Sequence, residues 1–175
     1  MLGTHQVDNA AAAVRAAELA LGARLSADLV SEALLGALNP GRFEIFPGTP
    51  LLVLDAMHTP DAAQRFCESV SKMPLPASRA LVFAALSDKR LAELAEHLTA
   101  LAGTVYVAPV ANGRSADPEQ VERVFLERGV VVRRAASIGE AIASAKQSVG
   151  PLGVVFVVGG VYTVAEARAH LVSLV

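Results

Sequence analysis

The chain has no tryptophan, one cysteine and only 5% aromatic residues. A single cysteine, Cys67, excludes an internal disulfide and fits a reducing, cytoplasmic compartment. Mean hydropathy is positive, yet no apolar run approaches the roughly 18–20 residues of a membrane-spanning helix. Runs such as Val154–Val158 have strand length. No basic segment followed by an apolar core opens the chain, so no signal peptide is expected. Net charge is −2 and there is no basic block, which removes the electrostatic reason to expect nucleic acid or an anionic membrane as partner. Two phosphate-binding loops are absent: no Gly-x-x-x-x-Gly-Lys-Ser/Thr, and no Gly-x-Gly-x-x-Gly after a strand. A Gly-x-Ser-x-Gly nucleophile elbow is absent too. His97 and His170 stand in expected helices without companion ligands, so no metal site is expected. Cys67 has no base near it in sequence to activate it.

What is present is a globular composition. Hydrophobic residues make up 53% and charged residues 18% of 175 positions, enough for one full core and a small appendage. Two helices are expected first. Asn9–Leu21 is alanine-rich, with Asp8 as its cap and Gly22 as its stop; Ser26–Leu38 is capped by Ser26. Asn39-Pro40-Gly41 then breaks the chain, and the rhythm changes to short apolar runs alternating with amphipathic segments. Strands are expected at Phe43–Phe46, Leu51–Asp55, Ala80–Leu86, Thr104–Ala108, Val130–Arg133 and Val154–Val158. Helices are expected at Asp61–Met73, Asp88–Ala102, Pro118–Arg128 (with Asp117 as cap), Ile138–Gln147 and Val164–Leu174. Strand and helix in alternation imply βαβ units. The few turn residues between the first two strands are too short for a parallel crossover. The expected fold is therefore α/β: a doubly wound, mostly parallel, six-stranded Rossmann-like sheet over 39–175, with one antiparallel edge strand, preceded by two helices over 1–38.

A doubly wound sheet without either phosphate loop is not expected to be a free-standing ATPase or dehydrogenase. Its polar groups still fall where such sheets bind ligands, past the carboxyl ends of strands. Asp55 and His58 follow one strand, and Arg42 stands at the start of its neighbour. A carboxylate there can hold a ribose hydroxyl, and an imidazole and a guanidinium can face phosphate. The same residues read equally as a turn former, a loop histidine and a solvated charge. Ser87-Asp88-Lys89 follows the next strand as a second polar patch, the simpler reading being that Ser87 or Asp88 caps the following helix. Gly159-Gly160-Val161-Tyr162 follows the last strand, and its glycines either admit an anion or a partner domain to the backbone or simply allow a tight turn.

Pro40-Gly41-Arg42-Phe43-Glu44, then an apolar strand into Asp55-Ala56-Met57-His58-Thr59-Pro60, resembles the start of the C-terminal domain of folylpolyglutamate synthase/dihydrofolate synthase, of the Mur ligase superfamily. Ser87-Asp88-Lys89, Gly159-Gly160-Val161-Tyr162 with Glu166 and Arg168, and Leu2-Gly3-Thr4-His5-Gln6-Val7-Asp8-Asn9-Ala10-Ala11 are similar to further family motifs, in the family's order. The resemblance implies a ligase that forms ADP. ATP phosphorylates a folate carboxylate, and the amine of L-glutamate attacks the acyl phosphate. It implies that Arg42 contacts the ATP phosphates, Asp55 the ribose, His58 the phosphates and incoming amino acid, and Asn9 the adenine edge. Ser87, Asp88, Gly160 and Tyr162 fall on the amino-acid side. The family's P-loop, Mg2+ ligands and carbamylated lysine have no counterpart here. The chain is thus expected to be part of a full ligase, inactive without its N-terminal P-loop ATPase domain, with residues 1–38 belonging to that domain. The alternatives are a stand-alone, non-catalytic nucleotide-binding or interaction module and part of a peptidoglycan Mur ligase. Thr59 stands where the family has Asn, Gly160 where it has Ser, and Ala56-Met57 where it has Gly-Ala.

Overall fold

A computed structural model describes residues 4–37 and 39–172. Two helices lead, α1 (Thr4–Leu21) and α2 (Ala27–Gly36). Alanine-rich sequence carries α1 through Asp8, which is an interior residue and not the expected cap. Ser26 does cap α2, its hydroxyl accepting from Leu29 N–H. Glu18 closes the turn between them: one carboxylate oxygen accepts from Leu25 N–H at 3.2 Å and the other from Arg15 Nη1 at 3.1 Å. The expected ends at Leu38 and Leu174, and Leu2-Gly3 of the opening motif, lie outside the described residues.

The rest alternates as expected: β1 (Glu44–Phe46), β2 (Leu51–Asp55), α3 (Pro60–Ser71), β3 (Arg79–Phe83), α4 (Leu91–Leu98), β4 (Thr104–Val107), α5 (Pro118–Leu126), β5 (Val131–Arg134), α6 (Ile138–Val149), β6 (Val154–Val158) and α7 (Val161–Val172). The described strands form one six-stranded sheet in the order β1-β2-β6-β3-β4-β5. β1 is antiparallel to β2 and every other pairing is parallel.

Successive strand residues point to opposite faces, which divides the core in two. Val53, Leu81, Phe83, Val105 and Phe156 pack with α3, α4 and α5. Leu52, Leu54, Val82, Tyr106, Val155 and Val157 pack with α6 and α7. On the first face Phe66 lies between Phe43 (ring centroids 5.1 Å apart) and Phe156 (6.0 Å, edge-on).

This division creates the crevice. β2 and β3 lead into helices on one face, while β6, inserted between them, leads into α7 on the other. Where neighbouring strands send their connections to opposite faces, the loops part and leave a ligand-sized opening at the carboxyl ends. Asp55, Val158 and Phe83 lie level across that edge.

Several boundaries differ from expectation by a few residues, and three of these lie at the carboxyl edge of the sheet. β3 ends at Phe83 because the chain leaves the ladder: Leu86 instead makes an isolated bridge with Ser115. Neither Ser87 nor Asp88 caps α4, which starts at Leu91 behind Arg90 without a side-chain cap. α7 starts at Val161, directly after the glycines, rather than at Val164.

Candidate functional site

The turn before β1 is locked to the turn after β2. Asp55 is 3% exposed. Its Oδ2 accepts from Phe43 N–H and its Oδ1 from Met57 N–H, both at 2.8 Å. Ala56 N–H donates to Gly41 O at 2.7 Å. Gly41 takes φ +72°, and a Cβ there would fall 2.7 Å from Val164 Cγ1, so both conformation and space require glycine. Phe43 is held at φ +47°, a position few non-glycine residues adopt. The result turns the Phe43 ring into the core and leaves Arg42, half-buried, on the other side. Among the described residues Arg42 makes no ion pair.

Arg42 and Asp55 line a cavity of about 800 Å³ together with Asn9, Gln6, Thr59 and Arg65. Its walls come from α1 and α2 on one side and from the β1–β2 end of the sheet and α3 on the other. Three of the four residues that the resemblance assigned to nucleotide, Asn9, Arg42 and Asp55, thus converge. Met57 borders the same cavity, but it is 1% exposed and packs in the core with Phe43 and Phe66. Thr59 caps α3, accepting from Ala62 N–H at 3.3 Å, with Pro60 as first helical residue. Thr and Asn both serve this role, so the Asn-to-Thr departure preserves the helix start that faces the cavity.

His58, the fourth, goes elsewhere. It lines a smaller cavity of about 200 Å³ with Lys89, Arg114, Gly160, Tyr162 and Thr163. Met57, buried in the core, stands between Asp55 and His58, and these residues three apart line different openings. His58 Nδ1 lies 3.2 Å from Ala56 O. A carbonyl oxygen only accepts, so Nδ1 carries that proton and Nε2 remains for a ligand. Gly160 and Tyr162, two other amino-acid-side candidates, line this cavity with His58. Ser87 and Asp88 do not line this cavity; they hold residues that do. Ser87 N–H donates to Arg114 O at 2.9 Å, and Asp88 pairs with Lys89 Nζ at 2.8 Å, which holds the Asp88 carboxyl below its ordinary range.

Sequence reasoning missed Arg114. The signal was an Asn112-Gly113 turn just past the carboxyl end of β4, where a following cation returns to the sheet edge. Asn112 Oδ1 accepts from Arg114 N–H at 2.9 Å and Ser115 Oγ from Val110 N–H at 3.1 Å, which closes that loop.

Gly159 also lines the smaller cavity, and a close backbone approach requires it to be glycine. At φ +132°, its missing Cβ would lie 1.8 Å from Ala84 O. The glycine lets the chain leaving β6 pass directly over β3. Thr163 Oγ1 donates to that same oxygen at 2.7 Å. Cys67 is no nucleophile: its thiol donates to His97 O at 3.4 Å, and burial raises its pKa to about 12. Among the described residues no group of three or more His, Cys, Asp or Glu side chains is placed to hold a metal ion, and no helix is long and apolar enough to cross a membrane.

The family model of the Mur ligase glutamate ligase domain matches residues 41–161. The chain belongs to this family. Within it, the domain is of the folylpolyglutamate synthase/dihydrofolate synthase type. A probable bifunctional folylpolyglutamate synthase/dihydropteroate synthase of Halobacterium salinarum is 34% identical over 97% of this chain. The Mycobacterium tuberculosis folylpolyglutamate synthase, solved with ADP and AMPPCP, superposes with a TM-score of 0.88 at 27% identity over 97% of this chain. The Yersinia pestis bifunctional enzyme, solved with Mn, AMPPNP and L-glutamate, gives 0.76 at 30% identity over 84%. The domain spans 20% of the Halobacterium protein, 40% of the mycobacterial chain and 35% of the Yersinia chain. These relatives are ligases, so the domain is a ligase-family domain.

Proposed function

We propose that this domain supplies one half of an interdomain site in an ADP-forming ligase that joins L-glutamate to a folate. The observation that carries the reading is the convergence of Asn9, Arg42 and Asp55 on one cavity. Asn9 offers an amide to the adenine edge. Arg42 offers a guanidinium to phosphate oxygens, a pairing strengthened by charge on both partners. Asp55, fixed by backbone N–H groups on both oxygens, offers a carboxylate acceptor to a ribose hydroxyl. The smaller cavity, with His58, Lys89, Arg114, Gly160 and Tyr162, suits the carboxylates of the incoming amino acid, and Ser87 and Asp88 keep Arg114 and Lys89 in place.

No P-loop occurs in the sequence, so the groups that work on the γ-phosphate belong to a P-loop ATPase domain, and the ligands for Mg2+ go with them. The solved relatives bind ADP, AMPPCP or AMPPNP, and some of them Mn, which supports nucleotide and divalent cation in the complete site. Helices α1 and α2, where no α2 residue is buried, fit an appendage that belongs to that ATPase domain.

The test is a chimera in which this chain replaces the corresponding C-terminal segment of the Yersinia synthase. ADP release that requires a folate and L-glutamate together supports the reading. A well-folded chimera that binds ATP analogues but never releases ADP points instead to a non-catalytic nucleotide module.

A further inference from the structure

Helix α7 lines the smaller cavity with Tyr162 and Thr163, and two further side chains, which line neither cavity, tie it to a loop of each. It is seated on the sheet by Thr163, through Ala84 O, and by buried Val164 and Ala167. From there Glu166 Oε1 accepts from Ala111 N–H at 2.6 Å, in the loop that carries Arg114. Two residues on, Arg168 pairs with Glu44 Oε1, while Glu44 Oε2 accepts from Gly41 N–H at 2.7 Å, in the turn that carries Arg42. The Arg168 guanidinium also lies 5.6 Å over the Phe46 ring, and Val164 packs against Gly41. Residues two apart on a helix point in different directions, so each contact serves a different loop. The Arg168–Glu44 pair is partly shielded, with Glu44 22% exposed, where a charge-assisted bond is stronger than at an open surface.

We propose that Glu166 and Arg168 are positioning residues, Arg168 for the Arg42 turn and Glu166 for the Arg114 loop, so that α7 fixes how far apart the two ligand-binding cations stand. The inference rests on the reading of the two cavities as nucleotide and amino-acid sites. It accounts for both members of the Glu-x-Arg pair, since neither residue lines either cavity and each holds a turn or loop that carries a cation which does.

The test uses the 175-residue chain with Arg168→Met, Glu166→Ala and the conservative Glu166→Gln, whose amide oxygen still accepts. Exchange of individual amides with water is followed by NMR, and ADP and L-glutamate are titrated separately. In Arg168→Met, Gly41 exchanges about tenfold faster, the scale of one lost hydrogen bond, and Ala111 is unchanged. Glu166→Ala shows the reverse, and Glu166→Gln restores Ala111. ADP affinity falls about tenfold only in Arg168→Met, and L-glutamate affinity falls similarly only in Glu166→Ala. Equal changes at both loops in either variant, or no change at either, overturn the proposal. If the unsubstituted chain binds neither ligand while the exchange changes stay local, the cavity reading fails and the two-loop brace stands.

Discussion

Replacing Gly159 by Ala tests the construction of the crevice at its tightest point. The new methyl would stand 1.8 Å from Ala84 O, so the β6–α7 link or the end of β3 must move by more than an ångström. Movement of Ala84 breaks the bond from Thr163 Oγ1, a loss of about 1 kcal/mol. Backbone at φ +132° adds about 1–3 kcal/mol for a residue with a Cβ, and displacing packed strands adds about 1–3 kcal/mol. We expect Gly159→Ala to destabilise by about 4 kcal/mol. With a urea m-value of about 2 kcal/mol/M, the unfolding midpoint falls by about 2 M. Gly36→Ala is the control: nothing lies within 4 Å of its Cβ position and it ends α2, so Ala should raise stability by about 0.5–1 kcal/mol. A midpoint shift below about 0.5 M for Gly159→Ala would refute the close-approach argument.

Three other outcomes follow from the packing and the charges. The Cys67 pKa rises from 9.0 to about 12, a difference of about three units, so at pH 8 its native thiolate fraction and its alkylation rate should be about a thousandfold below those in urea; comparable rates would contradict its burial. The Leu25 amide, then Arg15, holds the Glu18 carboxyl below 4.5. Its contribution to stability is therefore present above pH 4.5 and lost as pH falls through the lowered value, and an NMR titration placing Glu18 at or above 4.5 would contradict this. Phe66→Ala, which empties the space between Phe43 and Phe156, should cost about 3–5 kcal/mol in denaturant unfolding.

The architecture was legible in the sequence because the inner strands β2, β3, β4 and β6 are short, near-continuous apolar runs covered on both faces, and the helices between them have apolar stripes. The antiparallel edge followed from a turn too short to cross over. Boundaries failed where tertiary contacts outrank local signals. Ser87-Asp88 looks like a helix cap, but the Ser87 amide is drawn to Arg114 O. Asp8 looks like another, but α1 starts at Thr4 and runs through it. At the site, motif order identified Arg42, Asp55 and Asn9, residues up to 46 positions apart in the numbering that share one cavity. The same motif joined His58 to Asp55, but His58 lines the smaller cavity and the buried Met57 lies between them. Arg114 was missed because the Asn112-Gly113 pair marks a turn but not where the chain goes after it, and the place of Arg114 depends on that loop folding back to the sheet edge.

The central claim is that the cavity behind Arg42 is a nucleotide half-site. Titrating ADP into the labelled chain and mapping amide shifts tests it most directly. The account predicts weak binding, since half of the contacts lie on another domain, with shifts centred on Asn9, Arg42, Asp55 and Met57 that Arg42→Ala abolishes. Shifts centred elsewhere, or binding that survives Arg42→Ala unchanged, would contradict it.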